Sequence, residues 1–76
     1  MNIIIKDLKK NHQTNLTVEP EDTIRCIKRQ LKETIKVSAQ KIKLIYDKKI
    51  REDCVTLQEL DIQNDSMLFM IVNPHD

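Results

Sequence analysis

Two thiols, Cys26 and Cys54, and two imidazoles, His12 and His75, are the side chains with the widest chemical range in this chain. A thiol activated by an imidazole is a nucleophile, and three or four such groups together can hold zinc. The spacing supports neither use. Neither cysteine has a second at metal-binding distance in the sequence, His12 falls in a polar turn, and His75 stands near residue 76. No Ser/His/Asp or Cys/His grouping and no carboxylate pair in a plausible pocket stands out, so no catalytic residue is expected. Cys26 on a helix and Cys54 in a turn are the only candidate nucleophiles, and thiols in such places are usually inert. No cofactor or metal is expected either. The chain contains no glycine, which removes every glycine-rich phosphate loop.

Composition narrows the classes further. Seventy-six residues make one domain at most, with a single small core. Such a chain buries only about 60% of its unfolded surface, which leaves no room for a deep cleft. Thirteen Lys and Arg face twelve Asp and Glu, for a net charge of +1. That balance describes a solvated surface; a nucleic-acid partner calls for a basic tract, and Lys9-Lys10 and Lys48-Lys49 are only dipeptides. Tyr46 and Phe69 are the only aromatics, too few for a base-stacking platform. No apolar run approaches the ~18–20 residues that span a bilayer, and no membrane partner is expected. Small secreted domains usually carry more than one disulfide, so free thiols and a cytoplasmic or nuclear setting are expected; a single Cys26–Cys54 bridge is the rival. The missing glycine also has a conformational consequence. Every turn with positive φ must use Asn, Asp or a strained residue.

The periodicity then sets the elements. Residues 1–8 are β-branched and apolar, residues 9–13 are a polar break, and residues 14–19 alternate, which predicts a β-hairpin with Met1, Ile3, Ile5, Leu16 and Val18 on one face. Pro20 stops the second strand, and Asp22-Thr23 supplies N-cap side chains. Ile24, Ile27, Leu31 and Ile35 follow at helical spacing, which predicts an amphipathic helix over about 24–35. Ser38-Ala39 is a connector, residues 41–46 a third strand, residues 56–60 a short helical turn capped by Thr56, and residues 67–72 the last strand. The polar residues 73–76 end the pairing. The fold class is α+β, in the order β-β-α-β-β, with one helix on one face of a mixed sheet.

One helix covers one face, so the strands should alternate cleanly between apolar and polar. The later strands do not. If Leu44 points inward, Ile45 points out; if Leu68 and Met70 point inward, Phe69 and Ile71 point out. Leu8, at the tip of the hairpin, extends the group. Contiguous exposed apolar surface marks a partner site, whereas scattered single hydrophobes are normal. The grouping favours a protein-binding patch of Leu8, Ile45, Phe69 and Ile71. Lys43, Lys48 and Lys49 lie nearby in sequence, and such a cationic rim would steer an acidic partner.

The order and spacing of these pieces resemble the ubiquitin family across residues 1–72, with one extra residue in the first hairpin. The resemblance is carried by residues 1–8, by Val18-Glu19-Pro20-Glu21-Asp22-Thr23-Ile24, by Lys43-Leu44-Ile45-Tyr46-Asp47-Lys48-Lys49, by Thr56-Leu57 and by Ile62-Gln63 through Ser66. It implies a β-grasp fold and a single ubiquitin-like domain over 1–72, with 73–76 a polar tail or the start of a linker. It also implies that Leu8, Ile45 and Ile71 form the family's hydrophobic binding patch, with Phe69 beside it in place of a histidine. Lys6, Lys28 and Lys49 match positions of acceptor lysines, so Lys6 joins Lys43, Lys48 and Lys49 on the patch rim, and Asn64 replaces another acceptor. Arg51 stands where the family usually buries a leucine, leaving either its own stem or Ile50 to fill the space.

The ending Asn73-Pro74-His75-Asp76 lacks the Gly-Gly through which conjugated members act. The run Met70-Ile71-Val72-Asn73-Pro74 looks most like the N-terminal ubiquitin-like domains of proteasome shuttle factors. That resemblance implies a monomeric, non-catalytic module that docks on proteasome receptor subunits or on ubiquitin-interacting-motif helices. The alternative is a ubiquitin-like modifier whose conjugating tail lies beyond residue 76.

Overall fold

The β-branched runs and the single amphipathic stripe give one sheet and one helix in the computed structural model, which describes residues 1–73. Strands β1 (Asn2–Asp7) and β2 (Gln13–Thr17) form the hairpin, and helix α1 (Ile24–Ile35) follows. A short 3₁₀ turn (Ala39–Lys41) leads into β3 (Ile42–Tyr46), a two-residue β4 (Lys49–Ile50) and the closing β5 (Ser66–Val72). The sheet order is β2-β1-β5-β3-β4. Only the β1–β5 pair is parallel; β1–β2, β3–β5 and β3–β4 are antiparallel. This is the mixed-sheet, one-helix β-grasp that the sequence implied.

The buried set alternates along each strand as a one-sided sheet requires: Ile3 and Ile5, Leu16, Ile42 and Leu44, Leu68 and Met70. Ile24, Ile27 and Leu31 meet them from α1, and Val18, Leu57 and Ile62 close the ends of this single core. Met1 and Ile35 pack at its margin.

The helix is placed by hydrogen bonds at its first turn, where four backbone N–H groups lack helical partners. The Ile24 N–H donates to the Val55 carbonyl (3.0 Å) and the Arg25 N–H to Asp53 (3.1 Å). The Cys26 N–H donates to the Thr23 hydroxyl oxygen at 3.4 Å, so Thr23 is the N-cap. Asp22 serves elsewhere, its carboxylate accepting from the Glu19 N–H at 2.9 Å at the strand-to-helix corner.

Among the described residues, six take the left-handed conformation: Asn11, Lys36, Asp47, Lys48, Asp61 and Asp65, with φ between 55° and 68°. Asn and Asp fill four of these places, as expected for a chain without glycine, and lysine fills the other two. Asp47-Lys48 is the two-residue link between β3 and β4, with Tyr46 paired to Lys49. Positive φ at both central residues is the mark of a type I′ turn, whose twist matches that of the strands.

Residues 56–60 form the expected short helical turn: the Leu60 N–H donates to the Thr56 carbonyl at 3.4 Å, and the Thr56 hydroxyl caps the turn by accepting from the Glu59 N–H at 3.1 Å, while Thr56 also bridges to Thr23. Tertiary bonds hold this stretch, including Leu57 N–H to Asp22 O and Gln58 N–H to Pro20 O, both 2.9 Å. Ile50 lies in a short strand, β4, because the turn after Tyr46 returns the chain onto β3. Ile50 does not fill the space left at Arg51: Ile50 is exposed, while Arg51 is half-buried and its Nε donates to the Tyr46 carbonyl at 3.0 Å. The last three residues of the expected polar tail, 74–76, lie outside the described residues.

Candidate protein-binding face

Strand register fixes which side chains share the face away from α1. Directly paired residues lie on the same side of a sheet. Ile45 of β3 is opposite Phe69 of β5 on one side and Ile50 of β4 on the other. Phe69 is in turn opposite Lys6 of β1, and Ile71 is opposite Lys43. The next pair along is Ile4 with Met67. Asp7 pairs with Met70, and the Leu8 N–H continues the ladder to the Met70 carbonyl at 3.1 Å, which sets Leu8 beside Ile71. The structure thus brings Leu8, Ile45, Phe69 and Ile71 onto one surface.

Leu8 owes its position to Asp7, the one buried charged residue among the described residues. The Asp7 carboxylate accepts from the backbone N–H groups of Lys9 (2.9 Å) and Lys10 (3.2 Å), folding the chain sharply after Leu8. The Asn11 N–H donates to the Asp7 carbonyl at 2.8 Å and closes the loop. Leu8 is left 50% exposed, and Ile45, Phe69 and Ile71 are half-buried by one another and their neighbours.

The face is wider than the sequence reading made it. Met67 (38% exposed) and Ile50 (59% exposed) belong to it, as does the half-buried Ile4. Met67 was available from the alternation that gave Phe69 and Ile71, carried one step back. Ile50 was not, because its side depends on the β3–β4 register and on a turn built without glycine. Beyond Ile4 and Lys6 the surface turns polar, with Asn15 and Gln13 of β2 paired to them.

The expected rim divides. Lys6 and Lys43 stand on the face itself, each opposite an apolar patch residue. Lys48 lies in the β3–β4 turn, and Lys49 pairs with Tyr46, one step out of phase with Ile45, so it leaves from the sheet edge. The outward strand positions carry lysine and no Asp or Glu. Lys28 is committed elsewhere: its ammonium is 2.6 Å from the Asp53 carboxylate and its side chain is 13% exposed.

The other reactive groups are dispersed. Both cysteines are free thiols. The Thr23 hydroxyl donates to the Cys26 sulfur at 3.4 Å, and this bond, with a second from the Thr23 backbone, holds the Cys26 thiol below its ordinary pKa against a smaller opposing effect of burial. A groove of about 450 Å³ between the β1–β2 turn and the end of α1 is lined by His12, Lys9 and Val72 among others, and neither cysteine lines it. Among the described residues no three His, Cys, Asp or Glu side chains gather as metal ligands, and no helix is long and apolar enough to cross a membrane.

A family model described as "Ubiquitin family" matches residues 3–75 of the chain. This protein belongs to the ubiquitin family. No curated protein matches it. Membership of the ubiquitin family accounts for the topology, and domains of that family are generally non-catalytic. Of the three lysines that the resemblance set against acceptor positions, Lys49 is exposed, Lys6 is half-buried on the sheet face away from α1, and Lys28 is ion-paired.

Proposed function

We propose that this ubiquitin-like domain is a non-catalytic docking module of the ubiquitin–proteasome system, of the kind that shuttle factors carry. It binds proteasome receptor subunits or ubiquitin-interacting-motif helices through Leu8, Ile45, Phe69 and Ile71. The observation that supports this reading is the joint composition of the uncovered sheet face: contiguous half-exposed apolar side chains with lysines between them and no carboxylate at the outward strand positions. An amphipathic helix with an apolar stripe and acidic flanks complements such a surface.

Titration with a ubiquitin-interacting-motif peptide tests it. Ile45→Ala should weaken binding by more than about 1–2 kcal/mol, as for a central anchor. Ile45 is half-buried between Phe69 and Ile50, so the same change should cost about 1 kcal/mol of stability and leave the domain folded. Lys43→Glu should act more mildly, with an effect that shrinks as salt rises. A folded Ile45→Ala variant that binds as tightly as wild type would remove this face from the function.

A further inference from the structure

Resting on that docking reading, we infer that Ile50 and Met67 are specificity-determining anchors, and that the partner is an acidic amphipathic helix of about three turns. Its apolar stripe lies diagonally across β4, β3 and β5 toward β1.

The argument starts from the register. Ile50, Ile45 and Phe69 form one straight row across three strands. Met67 continues from Phe69 one outward position along β5, and Ile4 lies opposite Met67 on β1. Ile50 and Met67 are two of the three most exposed large hydrophobic side chains among the described residues; Leu8 is the other. Ile50 ends a continuous strip at β4, and Met67 with its partner Ile4 ends it across β5 and β1, while the middle of the strip is already half-buried. Isolated surface hydrophobes need no explanation, but two that terminate one strip define its length and direction.

That length selects the partner. Neighbouring strands are about 4.8 Å apart, so the three steps from β4 to β1 cover about 14 Å. A helix rises about 1.5 Å per residue, so about ten residues, close to three turns, span the strip. A partner touching only Ile45 and its nearest neighbours needs a single turn of contact.

Charge then selects its flanks. Lys6 and Lys43 both lie on the Leu8 side of the diagonal, and the turn carrying Lys48 lies on the other side. A helix in this direction therefore meets cations along both edges, and the strand positions beneath it offer no carboxylate to repel an acidic flank. The strip also moves the centre of contact. Phe69 has Ile45 and Lys6 across the strands and Met67 and Ile71 along its own, so it shares the central role with Ile45.

The probes are two synthetic helical peptides with Glu on both flanks. One carries Leu at i, i+4, i+7 and i+11; the other is shortened by its last turn and ends with Leu at i+7. Binding to the 76-residue chain and to Ile50→Ser, Met67→Ser and Ile45→Ser variants is measured by calorimetry, with melting curves confirming that each variant is folded. Wild type should prefer the longer peptide about tenfold. Ile50→Ser and Met67→Ser should each weaken the longer peptide by about the same factor, a factor typical of a buried apolar anchor; the substitution at the end that the shorter peptide does not reach should erase the longer one's advantage, and the other should weaken both peptides alike. If Ile45→Ser weakens both peptides while Ile50→Ser and Met67→Ser bind as wild type, the strip is wrong and the docking reading stands. If Ile45→Ser also binds as wild type, both fail.

Discussion

Thr23 shows how much one side chain can organise. Its hydroxyl accepts from the Cys26 N–H and donates to the Cys26 sulfur, so cap and thiol share one group. Thr23→Val keeps the shape and removes both bonds. Loss of the cap should cost about 1 kcal/mol in chemical denaturation. The Cys26 thiol should then titrate higher, because hydrogen bonds to the thiolate are what hold its pKa down. Alkylation followed by mass spectrometry across pH reads this directly: the rate profile of Cys26 shifts to higher pH in the variant, and that of Cys54 does not move. A pKa lowered on folding adds stability above the unfolded-state value and loses it as pH falls through the folded one. Wild type should therefore gain slightly on Thr23→Val as pH rises through the thiol range; a gap between them that does not change with pH would mean the sulfur bond is absent in solution.

At the scale of elements, absent glycine is the most economical test of the backbone. Helix α1 ends on Lys36, held at φ 61° with its N–H donating to the Lys32 carbonyl. A residue with a Cβ in that region is strained by roughly 1–2 kcal/mol, and glycine is not. Lys36→Gly should raise stability by about 0.5–1 kcal/mol, the relief being partly offset by the greater freedom of glycine in the unfolded chain. Glu33→Gly, inside the same helix, should lower it by about 1 kcal/mol. Helix α1 was legible in the sequence because Ile24, Ile27, Leu31 and Ile35 announce its period and Thr23 its start. Residues 53–62 were legible only at the turn that Thr56 caps; the placement of the stretch comes from bonds to Pro20, Asp22, Ile24 and Arg25, which no local pattern reports. The patch was legible in its β5 half, where alternation is enough. It was not legible at Ile50, whose face is set by a turn made from Asp47 and Lys48.

The whole molecule has one core and little else. Its radius of gyration, 11.2 Å, matches the roughly 11.4 Å expected of a compact chain of this length. Among the described residues thirteen buried hydrophobic side chains form a single cluster, and no second core there can absorb a defect. Ile27 is fully buried in the middle of the helix stripe. Ile27→Ala should cost roughly 2–5 kcal/mol, a large share of the stability of so small a domain. A loss in urea denaturation below about half a kcal/mol, the range of surface sites, would contradict this packing.

The parallel β1–β5 pair carries a mechanical consequence. The first and last strands of the sequence lie side by side at the centre of the sheet and run in the same direction. A pull on β1 toward its start and on β5 toward its finish loads their ladder in shear, so its hydrogen bonds bear the force together and cannot open one by one. A pull on β2 and β1 from their loop-distal ends, by contrast, peels an antiparallel hairpin pair by pair. Resistance to force therefore depends on where the chain is held. It is greatest when β1 and β5 are drawn apart along their own length.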